Sequence, residues 1–408
     1  MKILIFTVSA GNGHNATANV LKEKFMEKWG AEVKIVDAYK MYAGKIRSWA
    51  INKGYLISCN HFVGIYNTVF KKCEKSKPEN RNRAGVHGNT YPVSYGVLKE
   101  IFDFKPDIVI ATHIFLAVTL TNLKKVYDIP AKILALTLDY GVSPYWECAI
   151  DSDYMFITGE YMKQAFLERG FSEGQLYPLG IPVKDIFSKV LDKKTARKEL
   201  ALKEDLFTLT IMKSGFFSIS DRKIMSELKK LSQKIQIVIV NGKSEKSKNK
   251  FDKLIKKAKS PHVFYNIGFT DKIGEIFSAS DLILGKGGGL TVTETITKAL
   301  PSLIIDKLPQ QEIYNKIYLI NNGCALNINK HNTISKQIQF LLDKPEELEK
   351  MSINCKKIRK LNILDSFMEV LKDIPKAEYK DFNIEKKSAV IRKIKLALKY
   401  NLTSCKKN

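Results

Sequence analysis

The chain of 408 residues has no apolar run of transmembrane length and no paired spacing among its six cysteines. Cys59, Cys73, Cys148, Cys324, Cys355 and Cys405 are scattered, so neither a zinc site nor a disulfide framework is indicated, and a reducing cytoplasm is expected. The apolar run within residues 1–8 is too short for a signal-peptide core or a membrane span and reads as a first buried strand. Acidic side chains are also scarce, with 42 Asp and Glu against 67 Lys and Arg, a net charge of +25. Such a surface attracts polyanions. No nucleic-acid motif or aromatic stacking platform accompanies the lysines, which favours an anionic membrane face over nucleic acid. A generally lysine-rich composition without any partner is the open alternative. Hydrophobic content of 45% and charged content of 27% describe a globular chain. Its length suits two domains of ordinary size.

The most informative stretch is Gly285-Lys286-Gly287-Gly288-Gly289-Leu290-Thr291-Val292-Thr293-Glu294. It follows a buried-strand pattern at 281–284 and opens a segment of helical character that stops before Pro301 and a second strand at 302–305. Strand, glycine loop, helix and strand make a βαβ unit. The glycines let backbone approach a ligand closely, and the helix N-terminus offers N–H groups and a positive dipole end to a phosphate. Glu294 is placed to accept hydrogen bonds from ribose hydroxyls; Gln311, Glu312 and Asn315 follow on the next loop and suit a hydroxyl-rich group such as a sugar. A glycine run alone also serves for a tight turn.

In the first half, residues 2–8 read as a strand, followed by the loop Ser9-Ala10-Gly11-Asn12-Gly13-His14, a helix and a second strand at 32–36. The Gly11-x-Gly13 spacing lacks the third glycine of a dinucleotide fingerprint. Residues 106–113 form another strand with the polar tip Thr112-His113, and residues 131–138 one closed by Asp139. Residues 41–72 carry Tyr42, Trp49, Tyr55, Phe62, Tyr66 and Phe70 among basic side chains, a composition suited either to packing helices or to a lipid interface. Residues 76–89 read as a polar excursion. Asp151-Ser152-Asp153 invites a metal reading, but the pair precedes a strand and fits a turn cap better. The basic segment 386–407 has apolar residues at helical spacing and suits a membrane-surface helix or a packing helix with a solvated face.

The stretch 285–294, with Leu308-Pro309 and the later Gln311-Glu312 and Asn315, closely resembles the donor region of the monogalactosyldiacylglycerol synthase and processive diacylglycerol glucosyltransferase family. That family is related to the peptidoglycan lipid N-acetylglucosaminyl transferase. Gln310 stands where the family pattern has glycine. The resemblance spans both halves of the chain and implies a GT-B fold of α/β class, two doubly wound Rossmann-like domains facing across a cleft. The expected divisions are 1–185 for the acceptor domain, 186–375 for the nucleotide-sugar donor domain and 376–408 for a basic tail.

By the same resemblance, His14 in a Gly-x-Gly-His loop is the expected general base, whose natural pKa lies near the working pH. Asp139 would orient or assist it, while Gly13, His113, Tyr55 and Tyr66 would meet the acceptor. Gly215, with Lys213 and Ser214, stands in for a glycine-rich phosphate loop, and the backbone near Phe269 would hold the uracil ring. Gly287, Gly288, Gly289, Leu290 and Thr291 would take the diphosphate, Glu294 the ribose, and Gln311, Glu312 and Asn315 the hexose. Ser143 or Pro144 stands where family members have a histidine. The implied reaction is inverting transfer of glucose or galactose from the UDP-sugar, as co-substrate, to diacylglycerol, with no metal or other cofactor. It would run at the inner face of the cell membrane. The alternatives are N-acetylglucosamine transfer to a polyprenyl-linked precursor, or a non-catalytic relative that binds nucleotide sugar or lipid.

Overall fold

The computed structural model describes residues 1–9, 12–44, 62–76, 84–189, 191–213 and 217–404. They form two compact units: the first gathers the described residues of Met1–Ser58, Gly64–Pro182 and Asn362–Asn408, and the second those of Cys59–Val63 and Val183–Leu361. Each unit is built on one six-stranded parallel sheet. Tyr55 and Gly215 lie outside the described residues.

The first sheet holds β1 (Lys2–Thr7), β2 (Glu32–Asp37), β3 (Ile108–Ala111), β4 (Lys132–Leu136), β5 (Tyr154–Phe156) and β6 (Leu176–Tyr177), ordered 2-1-3-4-5-6. Buried on both faces, these strands read as continuous apolar runs, as parallel strands do. Side chains still alternate between faces. Ile3, Ile5, Ile108, Ile110 and Leu134 join one apolar cluster, whereas Leu4, Phe6, Val109, Ala111 and Ile133 join the other. The chain's order reverses between β1 and β3, and the loops after these two strands diverge there.

C-terminal segments complete both faces of this sheet. Phe367 and Leu371, on the helix Ile363–Leu371, are fully buried in the first cluster, with Phe367 edge-on to Phe156 at 4.3 Å. On the other face Phe382 stacks on Phe102 at 4.0 Å, and Val390 and Ile394 of the helix Lys387–Ser404 are fully buried. Asp107 fastens this return, accepting from the Ala377 N–H at 2.9 Å and the Lys2 N–H at 2.7 Å. Residues 362–375, expected in the second domain, and residues 376–396 of the segment 376–408, expected as a separate tail, therefore both pack into the first. The division near residue 185 falls between Pro182 and Val183. Val390 and Ile394 of the last helix are thus taken up by the protein's own core, while Leu396 is 49% exposed.

Residues 84–89, expected within a polar excursion, instead open the helix Ala84–Phe104. Val86, Val93, Val97 and Ile101 line its buried face, and that burial holds the helix despite Pro92 inside it.

The second sheet holds β7 (Thr208–Met212), β8 (Gln236–Val240), β9 (Val263–Ile267), β10 (Leu282–Gly285), β11 (Ser302–Ile305) and β12 (Ala325–Ile328), ordered 12-11-10-7-8-9. Its reversal lies between β7 and β10. Among the described residues no helix is long and apolar enough to cross a membrane.

Truncating Ile394 to alanine should lower unfolding stability by about 2–5 kcal/mol, since the side chain is fully buried. Truncating Leu396, 49% exposed, should leave denaturant unfolding within about 0.5 kcal/mol of wild type.

Candidate functional site

In open parallel sheets ligands bind outside the carboxyl ends of the strands at the point where strand order reverses. In the first domain that place brings His14 and His113 together. His14 lies in the first turn of the helix Asn12–Trp29, just after Gly13, and its Nδ1 is 2.6 Å from the carbonyl oxygen of Thr112 at the end of β3. A carbonyl only accepts, so the proton sits on Nδ1 and the lone pair on Nε2. His113 caps the helix Ile114–Val126, its Nδ1 accepting from the Phe115 N–H at 3.2 Å. The two rings meet edge-on with centroids 4.8 Å apart.

Burial lowers the His14 pKa, while the Thr112 carbonyl and the charge of Asp139 pull it back up. His113 is held well below its ordinary value, first by burial and then by His14. Asp139 follows β4; its carbonyl accepts from the Thr158 hydroxyl at 2.7 Å, which ties its loop to β5. Asp139 is thus positioned to favour charge on His14. Tyr66 lies on the helix Val63–Lys75, close to Tyr145. Ser143, where a histidine was sought, caps the short helix Pro144–Ala149 by accepting from the Tyr145 N–H at 3.4 Å.

Asp153 serves structure. Burial pushes its carboxyl up, but bonds from Lys124 and the Ile133 N–H outweigh that and hold it below the usual range. Among the described residues no cluster of three or more His, Cys, Asp or Glu side chains is placed to hold a metal ion.

In the second domain the glycine run sits at the reversal point. Gly287 adopts φ +76°, a region that favours glycine, and a Cβ there would lie 3.3 Å from Ile304 Cγ2. Gly288 caps the helix Gly289–Thr297 without a side-chain bond. The first intrahelical bond runs from the Val292 N–H to the Gly288 carbonyl at 2.9 Å, so the N–H groups of Gly289, Leu290 and Thr291 precede it. Such a helix start presents N–H groups and a positive dipole end of the kind that suits an anion.

Gln311, Glu312 and Asn315, expected on a loop, lie on the helix Gln310–Asn321, which supports the run. Asn315, fully buried on the helix Gln310–Asn321, donates from Nδ2 to the Gly287 carbonyl at 3.0 Å, so it fixes the loop's shape. Glu312 forms an ion pair with Lys286, whose ammonium lies 3.7 Å from where a Gly288 Cβ would be. Gln311 is half-buried one residue before it. Burial pushes the Glu294 carboxyl up to about 8, with Lys184 acting the other way. Phe269 lies elsewhere, past the end of edge strand β9, 66% exposed under the Lys243 ammonium. Lys213, a proposed phosphate partner, is turned inward: its ammonium bonds Asp221 at 2.6 Å and Ser247 at 2.9 Å.

A family model described as monogalactosyldiacylglycerol synthase matches residues 14–183, and one described as the glycosyltransferase family 28 C-terminal domain matches residues 216–367. Together they cover most of the chain, one on each domain. The chain is a glycosyltransferase that resembles these families over both of its domains. A protein named processive diacylglycerol beta-glucosyltransferase from Bacillus pumilus is 26% identical over 91% of this chain and 94% of its own length. Its namesake from Staphylococcus saprophyticus is 25% identical over 86% and 87%. Among solved structures, Acinetobacter baumannii MurG superposes with a TM-score of 0.61 at 13% identity, covering 91% of this chain and 99% of MurG. Anabaena HepE, solved in complex with UDP, superposes at 0.53 with 13% identity, covering 91% of this chain and all of HepE (100%). The GT-B class expected from the glycine stretch is the fold of this glycosyltransferase.

Two contributors escaped the sequence. Thr112 acts through a backbone carbonyl, which no side-chain pattern marks, and Lys286 gains its role from a partner 26 positions away. A carboxyl with a folded pKa near 8 and an ordinary value of 4.5 holds its proton more tightly in the folded state, so stability falls as pH rises through that window. Glu294→Gln removes the penalty. Its melting temperature relative to wild type should therefore rise more at about pH 8.5 than at about pH 5; an equal difference at both would contradict the assignment.

Proposed function

We propose that this glycosyltransferase moves a hexose from a UDP-sugar to the free hydroxyl of diacylglycerol with inversion at the anomeric carbon. One observation carries the reading: a half-buried histidine at the first sheet's reversal point with Nδ1 pinned to a carbonyl, leaving Nε2 as the base. Nε2 of His14 takes the hydroxyl proton as that oxygen bonds to the anomeric carbon and the bond from that carbon to the diphosphate oxygen breaks. Asp139 favours the imidazolium that forms. The charge that develops on the departing UDP falls to the N–H groups of Gly289, Leu290 and Thr291, the helix dipole and Lys286. These groups supply that stabilisation without a metal in this proposal. Glu294 is the proposed ribose ligand, and Gln311 with Glu312 the proposed hexose ligands. The relatives' names favour glucose over galactose and repeated addition over a single one.

The acceptor lies in a bilayer, and the first domain offers a surface for it. On the helix Val63–Lys75, Ile65 and Val69 are 66% and 61% exposed, one turn apart, next to exposed Lys71, Lys72 and Lys75. Apolar side chains flanked by lysines suit the headgroup boundary of an anionic membrane. The enzyme is accordingly proposed to work as a peripheral protein on the inner face of the cell membrane.

Labelled UDP-glucose and UDP-galactose offered with diacylglycerol in anionic vesicles should give glycolipid with one donor, and His14→Ala should lower turnover about 10²-fold or more. UDP binding without product from either donor would move the protein to a non-catalytic role. In vesicle sedimentation, Ile65→Glu with Val69→Glu should release the protein from anionic vesicles, and wild-type binding should weaken as salt rises. Binding unchanged by both would refute this face.

A further inference from the structure

The structure assigns His113 as a positioning residue that holds His14 in the tautomer the reaction needs; the assignment rests on His14 being the base. Two backbone groups fix the rings in opposite senses. The Thr112 carbonyl requires a proton on Nδ1 of His14. The Phe115 N–H requires a bare Nδ1 on His113, so the neutral ring of His113 carries its proton on Nε2. The His113 ring is clasped edge-on between two others, His14 at 4.8 Å and 69° and Phe115 at 4.9 Å and 66°. It cannot turn over without losing its helix cap.

Each ring therefore limits the other. His113 occupies the space beside His14, so the imidazole cannot swing out of plane towards it and away from the Thr112 carbonyl. Charge enters the same way. When His14 becomes imidazolium, a second cation 4.8 Å away would oppose the proton transfer. Burial and His14 both keep His113 neutral. Among the described residues the groups acting on the pair are the Thr112 carbonyl and Asp139, which favour charge on His14, and His14, which disfavours it on His113.

His113→Asn tests this, because asparagine keeps an acceptor at the helix N-cap while removing the ring. The variant is expected to melt near wild type and keep the UDP-sugar KM. Its kcat should fall on the order of 10-fold, and the acid limb of kcat/KM should move up towards an ordinary histidine value as water reaches His14. Long-range proton–nitrogen spectra of histidine-labelled wild type should show Nδ1–H on His14 and Nε2–H on His113, with His113 neutral at about pH 6. Wild-type kcat and an unmoved acid limb in the folded variant would overturn the assignment, as would a protonated His113 at that pH. Retained turnover in His14→Ala would overturn the base as well, whereas loss there without any effect of His113→Asn overturns only the role given to His113.

Discussion

A parallel sheet cannot avoid a gap where its strand order reverses, and both domains depend on that constraint. At β1 and β3 the chain leaves in opposite directions, and so it does at β7 and β10. The loops that part there have no neighbouring strand to cover them, so polar side chains and free N–H groups can remain beside a tightly packed core. The first domain fills its gap with a histidine pair; the second fills its own with glycines and a helix end. The proposed proton acceptor and the proposed anion acceptor thus arise from one topological feature used twice.

Backbone groups, more than side chains, set the chemistry at both places. A carbonyl decides which nitrogen of His14 is basic, and an N–H decides the same for His113. The carbonyl of Gly287 is in turn held by Asn315, whose amide spends a donor on shaping the loop. The burial that raises the Glu294 carboxyl and lowers both imidazoles has a common effect: ionisable groups at both gaps are biased towards their neutral forms until a ligand or a transferred proton changes the balance.

The strands and the glycine stretch were legible because buried parallel strands are unbroken apolar runs and because glycine at φ +76° leaves a mark in the sequence. Ser302–Ile305 matches its expected limits, and the strands expected at 2–8, 32–36, 106–113, 131–138 and 281–284 differ by one or two residues at one or both ends. Tertiary choices were less legible. Val390 and Ile394 have the spacing of a helix that lies on a membrane and of a helix that packs on a core, and only the position of the partner surface separates the two. Lys213 next to a loop looks like a phosphate ligand until Asp221 and Ser247 are seen to draw it inward. Residues 84–89 look like loop because their polar and glycine content outweighs the one buried valine that anchors them.

The return of residues 362–394 to the first sheet makes the donor domain an insertion within the acceptor domain. No single cut of the chain separates the two. Synthesis then runs in an unusual order: Val183–Leu361 has its whole sheet once β12 has left the ribosome, while the older first sheet still lacks part of the cover on each face. Phe156 and Phe102 wait for Phe367 and Phe382. The half of the enzyme that is made first is thus the half that finishes folding last.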